Sequence, residues 1–184
     1  MDALTKSLQR ICGWFKSHEI AYMIFGGVAN SYYGNPRLTF DVDVKVLINQ
    51  DEIPSFIKNI AEVGNIVPSE PAKFIEETGV LPVDVEGVRV DMVIAELPFE
   101  LEAINRSRFV HYLDTEMRVC TLEDLIVQKV VSTRNKDWMD IETLVHMHRK
   151  TLDWDYILHH GSDLAGFLDR SEMIVRLRRW RNEG

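Results

Sequence analysis

The chain has 184 residues, 46% of them hydrophobic and 27% charged, with a formal net charge of −8, a composition that supports one domain with a real core and a helical appendage. The acidic balance argues against broad nonspecific nucleic-acid binding and leaves such work to a local basic patch. Cys12 and Cys120 lie outside any CxxC or Cys/His cluster, which argues against structural zinc and a disulfide framework and favours a reducing, cytoplasmic setting; no run approaches the roughly 18 apolar residues of a membrane span, so no membrane partner is expected.

Leu4 to Lys16 places Leu4, Leu8, Ile11, Cys12 and Phe15 at about 3.6-residue spacing, which predicts an amphipathic helix. Ala21 to Phe25 reads as a buried strand running into the Gly26-Gly27 turn. A short helix, Val28 to Tyr33, follows and is stopped by Gly34-Asn35-Pro36. Asp41 to Ile48 is the clearest strand, with Val42, Val44 and Val46 on one face and Asp41, Asp43 and Lys45 on the other. Asp51 is expected to cap a helix through Ala61, and Pro71 to Thr78 is weakly helical.

Leu81 to Val85 and Val88 to Ala95 read as a hairpin turned at Glu86-Gly87. A helix is expected over Pro98 to Asn105, and a smaller hairpin over Phe109 to Tyr112 and Met117 to Val119. Thr121, with Asp124 three residues on, opens a helix to about Thr133. Further helices are expected over Asp137 to His148 and, in two pieces parted at Gly161 or Gly166, over Trp154 to Trp180. The expected fold class is therefore α+β: a mixed β-sheet flanked by helices over 1–119, and a C-terminal helical region over 120–184 packed on it.

Two aspartates at i and i+2 on a strand share one face and repel unless a cation or proton compensates. A divalent ion answers that need, and Mg²⁺ combines one or two carboxylates with substrate phosphates. Asp91, in Val88-Arg89-Val90-Asp91-Met92, lies on the face opposite Val88, Val90 and Met92. If its strand pairs beside the Asp41 strand, three carboxylates converge. The alternative is a pair of solvated acids on an edge strand. Gly26-Gly27 suits close backbone approach to a phosphate, or is a plain strand-to-helix turn. Arg37 and Thr39 stand just before the aspartates, and Arg37 either contacts phosphate or forms a surface ion pair.

Taken together, Phe25-Gly26-Gly27-Val28-Ala29 and Gly34-Asn35-Pro36-Arg37-Leu38-Thr39-Phe40-Asp41-Val42-Asp43 resemble the signature of the DNA polymerase β nucleotidyltransferase superfamily. Thr121 to Lys129, followed by Arg134-Asn135-Lys136-Asp137-Trp138-Met139-Asp140-Ile141, resembles the helical region of its AbiEii-like members, which relate to toxin–antitoxin systems. The resemblance spans roughly residues 20 to 148. It implies the nucleotidyltransferase fold and transfer of a nucleoside monophosphate from an NTP, with two Mg²⁺ ions. Asp41 and Asp43 would then be metal ligands, and Asp91 the third ligand or the base. Gly26 and Gly27 would contact the NTP, with Arg37 and Thr39 beside them. Lys129 would meet the triphosphate. Asp137 and Asp140 would orient Lys129 and Arg134 or contact base or acceptor; otherwise they form a helix–helix ion-pair network. Many catalytic members carry Ser where this chain has Gly27.

The acceptor stays open between RNA, protein and a small molecule such as an antibiotic, and a cognate antitoxin is a further possible partner. An inactive, binding-only relative is the competing reading. The six histidines suggest no ligand set, because His146 and His148 diverge on a helix and His159-His160 are sequential. Trp138, Trp154 and Trp180 are expected to pack. Arg176-Leu177-Arg178-Arg179-Trp180-Arg181 either grips RNA or forms a solvated helix end.

Overall fold

The computed structural model describes residues 2–36 and 39–182. The chain divides into two compact units, Met1–Ala29 with Leu38–Cys120, and Asn30–Arg37 with Thr121–Gly184.

In the first unit, α1 (Ala3–Ser17) starts where the Asp2 carboxylate accepts the Thr5 N–H at 2.8 Å. It buries Leu8, Ile11, Cys12 and Phe15, the stripe its periodicity marks. The strands are β1 (Tyr22–Phe25), β2 (Asp41–Val46), β3 (Asn65–Ile66), β4 (Val80–Val85), β5 (Val88–Ile94), β6 (Arg108–Tyr112) and β7 (Thr115–Val119). They form one seven-stranded sheet in the order β3-β4-β5-β2-β1-β7-β6. β2 pairs antiparallel with β1 and parallel with β5, so the sheet is mixed and β2 is central. The edge-strand alternative for Asp41 and Asp43 is thereby removed. Val42, Val44, Val46, Val90 and Met92 are fully buried on one face, as period-2 alternation requires.

α2 (Gly26–Tyr32) begins at the glycines themselves, two residues before its expected start. The β4–β5 hairpin turns through Glu86 and Gly87 with φ of 57° and 77°, the double positive φ that fits the twist of flanking strands. α3 (Ile53–Ile60) follows a 3₁₀ turn over Gln50–Glu52. Glu52 closes that turn by accepting the Asn49 backbone N–H at 3.0 Å, and α3 itself has no side-chain cap, against the expectation for Asp51. α4 (Pro71–Thr78) and α5 (Pro98–Arg106) match their sequence signals to within a residue. β3 has no sequence signature, because two residues show no period; it exists by pairing with β4.

In the second unit, Thr121 caps α6 (Leu122–Val130), accepting the Asp124 N–H at 3.2 Å and donating its hydroxyl to Asp124 Oδ2 at 2.6 Å. α7 (Asn135–His148), α8 (Trp154–Leu168) and α9 (Glu172–Asn182) complete it. α8 runs through both Gly161 and Gly166, against expectation, and ends at Asp169 in the left-handed conformation. Gly161 is a packing notch instead: a Cβ there would lie 2.7 Å from Leu177 Cδ1 of α9.

Candidate active site

The pairing of β2 with β5 places Asp43 directly opposite Asp91, and Asp41 opposite Arg89. On adjacent strands, paired residues point to the same face. Asp41, Asp43, Arg89 and Asp91 therefore form a charged square on one side of the sheet, behind which lies the apolar face. Lys45, next along the row, is buried and ion-paired with Glu100 of α5. Burial raises the Glu100 pKa, but the Lys45 charge and hydrogen bond, with the Leu97 and Glu96 amides, outweigh it and hold the carboxyl below its usual range. Lys45 thus has its own partner and does not serve to neutralise the aspartates.

Each carboxylate of the square has a distinct setting. The Thr39 hydroxyl donates to Asp41 Oδ1 at 2.9 Å. Asp43 Oδ2 accepts the Gly27 N–H at 3.4 Å. Arg89 Nε donates to Asp91 Oδ1 at 2.7 Å. Gly26 has φ +61°, and a Cβ on it would fall 1.8 Å from Asp43 Oδ2. The Asp43 carboxylate therefore occupies space that any other residue at 26 would fill. This is why the strand ends in glycine here: the turn needs a left-handed backbone and the acid needs the room. Strand alternation puts Arg89 on this face but gives it no role; its i, i+2 spacing from Asp91 is the signal in the sequence for the pair. Arg37 lies outside the described residues.

The remaining candidates belong to the second unit. Lys129 is buried, and its ammonium donates to Asp137 Oδ1 at 3.0 Å and Asp140 Oδ2 at 2.7 Å. Ser132 and Arg134 each donate to Asp137 Oδ2 at 2.7 Å, and Asn35 Nδ2 approaches Asp140 Oδ1 at 3.4 Å. Burial pushes the Asp137 pKa up, but the hydrogen bond from Ser132, then the bond and charge of Lys129 and the bond from Arg134, hold it below its usual range. These contacts form an ion-pair network between α6 and α7.

Among the described residues, one group of three potential ligands has its donor atoms all within 4.8 Å of one another: His159, His160 and Asp163 on α8. Sequential histidines suggest no ligand set by themselves, yet an i, i+1, i+4 pattern with Asp163 gathers all three on one side of the helix. Asp41, Asp43 and Asp91 do not meet that spacing. Both cysteines are free and buried. Burial raises the Cys12 thiol to about 11, only partly offset by a hydrogen bond with Tyr22, which disfavours the thiolate form.

No family model and no curated protein matches the sequence. Solved structures do match. The solution structure of the antibiotic-resistance factor ANT(2'')-Ia aligns with a TM-score of 0.62 at 12% identity, over 94% of this chain and 97% of that one. The fold is that of the nucleotidyltransferases. An antigenic nucleotidyltransferase-like protein from Paracoccidioides brasiliensis shares it with a TM-score of 0.55 at 14% identity, over 94% of this chain and 92% of its own. The lincosamide antibiotic adenylyltransferase LnuA, in its lincomycin-bound structure, shares it with a TM-score of 0.51 at 16% identity, over 76% and 94%. In this sheet Asp41, Asp43 and Asp91 lie on two adjacent strands, β2 and β5. No helix among the described residues is long and apolar enough to cross a membrane.

Proposed function

We propose that this chain is a Mg²⁺-dependent nucleotidyltransferase that moves a nucleoside monophosphate from an NTP to an acceptor hydroxyl. The observation that carries the reading is the register of β2 against β5, which sets Asp43 beside Asp91 with Asp41 on the same face. Three carboxylates supply only hard oxygen donors, the chemistry Mg²⁺ takes. Their clustered negative charge calls for cations. Gly26 leaves the Asp43 carboxylate unobstructed. The donor chemistry and the shared face therefore suit the metal, and binding it would draw together carboxylates that now stand apart.

Asp41 and Asp43 would hold it, with Asp91 as a further ligand or as the base that accepts the acceptor's proton. When bound, Mg²⁺ stabilises charge on the entering and leaving oxygens of phosphoryl transfer. Thr39 orients Asp41, and Arg89 orients Asp91 through its ion pair. Gly26 and Gly27 offer backbone without side chains where a triphosphate would approach.

Incubation with α-labelled NTPs, Mg²⁺ and a choice of total RNA, lysate protein, lincosamides or aminoglycosides tests the reading. Labelled product should form, vanish with chelator, and vanish in Asp41→Asn and Asp43→Asn. Absence of any product, together with no NTP binding by calorimetry, would refute it; binding that survives both substitutions without chemistry would favour an inactive relative. The likeness to ANT(2'')-Ia over 97% of that chain makes an antibiotic hydroxyl one acceptor to include. A toxin–antitoxin role, with a cognate antitoxin partner, rests on the resemblance of residues 121–141 alone.

A further inference from the structure

We infer that the second unit binds single-stranded nucleic acid in a cleft along α7 and α9. This deepens the proposed reaction by naming a polynucleotide as its acceptor, and it rests on that reading.

Charge is distributed unevenly along the chain. Residues 1–120 hold eleven Lys and Arg against eighteen Asp and Glu, whereas residues 121–184 hold ten against eleven. Within the second set, α9 carries four arginines and a single acid, Glu172. Two of those arginines, Arg176 and Arg179, line a cleft of about 480 Å³ together with Trp138 and Trp180. A cavity of about 530 Å³ shares Trp180 and Glu142 with it and adds Arg149 and Lys150. One carboxylate thus faces four permanent cations along a continuous wall.

The aromatic pair gives the wall its second property. The Trp138 and Trp180 rings lie 6.0 Å apart between centroids, tilted by 40°. Trp138 is fixed by donating its indole N–H to the Ser132 carbonyl at 3.0 Å. The Arg176 guanidinium sits 4.5 Å from the centre of the Trp138 ring. Aromatic faces flanked by arginines are the recurrent chemistry for single strands, since any base can stack and the backbone meets the cations. Bases in a duplex are already stacked and cannot reach the indoles. A polycationic aminoglycoside would be repelled by the same wall. The volumes are those of ordinary ligand sites.

The test is fluorescence anisotropy of a labelled oligouridylate with the intact protein across a salt series. Binding is expected, with log affinity falling by about 0.7 per log salt for each phosphate neutralised, and with quenching of tryptophan emission. Duplex RNA should compete poorly. Trp180→Ala should weaken binding about ten-fold, the loss expected for one stacked base, and Arg176→Glu with Arg179→Glu should weaken it further. Lys58→Glu, at an exposed position on α3, should leave it unchanged.

No binding at low salt would overturn the inference. So would Trp180→Ala and Arg179→Glu proteins of native circular dichroism that bind as before. If those variants fail to fold, absence of the salt slope or of the quenching in the unaltered protein overturns it. Transfer to an antibiotic without oligonucleotide binding would sink the inference and spare the reaction; oligonucleotide binding without any transfer would leave the cleft as a binding site and overturn both the reaction and the acceptor role.

Discussion

Replacing Gly26 with alanine isolates the contact on which the active-site reading depends. Two penalties are expected. The first is backbone strain, because residue 26 has φ +61° and the left-handed conformation costs an L-residue about 1–2 kcal/mol. The second is steric. The new Cβ would lie 1.8 Å from Asp43 Oδ2, 2.5 Å from its Cγ and 2.9 Å from its Cβ. The whole Asp43 side chain must therefore move, and displacement of a reacting group by about 1 Å can cost about 10²-fold in rate. Gly79→Ala is the control, since Gly79 has φ +70° but nothing within 4 Å of an added Cβ. In thermal denaturation both variants should lose stability, at about 2–4 °C per kcal/mol for a chain of this size. Gly26→Ala alone should lose transfer activity by about 10²-fold or more. Adding Asp43→Ala to Gly26→Ala should destabilise by less than the sum of the single changes, because the two residues share one contact. A Gly26→Ala protein that matched Gly79→Ala in both melting and activity would refute the reasoning.

Lys129→Met leaves Asp137 and Asp140 buried without their shared cation, and should cost about 3–5 kcal/mol in urea unfolding; a smaller effect than Arg134→Ala would contradict the buried network. Acid sensitivity follows from Glu100 and Asp137, both held below the usual carboxylate range. A depressed folded-state pKa contributes stability that is present above the unfolded value and is lost as pH falls through the folded one. Urea midpoints should therefore hold near neutrality and fall below about pH 4, with a shallower acid limb in Glu100→Gln. Gly161→Val should destabilise by about 1–3 kcal/mol through overpacking against Leu177. Gly166→Ala, where an added Cβ meets nothing within 4 Å, should be neutral or should stabilise by up to about 1 kcal/mol. Equal midpoints for these two variants would remove Gly161 as a packing notch.

The sequence by itself determined the features whose cause is local. Alternation over 41–46 follows from the geometry of one strand, and the place of the hairpin turn from Gly87, which adopts a left-handed backbone without penalty. The cap at Thr121 comes from a hydroxyl three residues from its amide. The shared face of Asp41 and Asp43 is of the same kind, so the core of the candidate site is legible in the amino-acid order alone. Tertiary structure decided what depends on partners distant in the chain. It made β2 central rather than an edge, and it set Asp43 opposite Asp91 rather than one residue out of register. It turned Lys45 toward Glu100, put Arg89 on Asp91, and buried Lys129 between two aspartates. It carried α8 through Gly161 because Leu177 fills the notch. Strand order, register and side-chain pairing arise from burying one shared surface, and that surface exists only once the chain has folded.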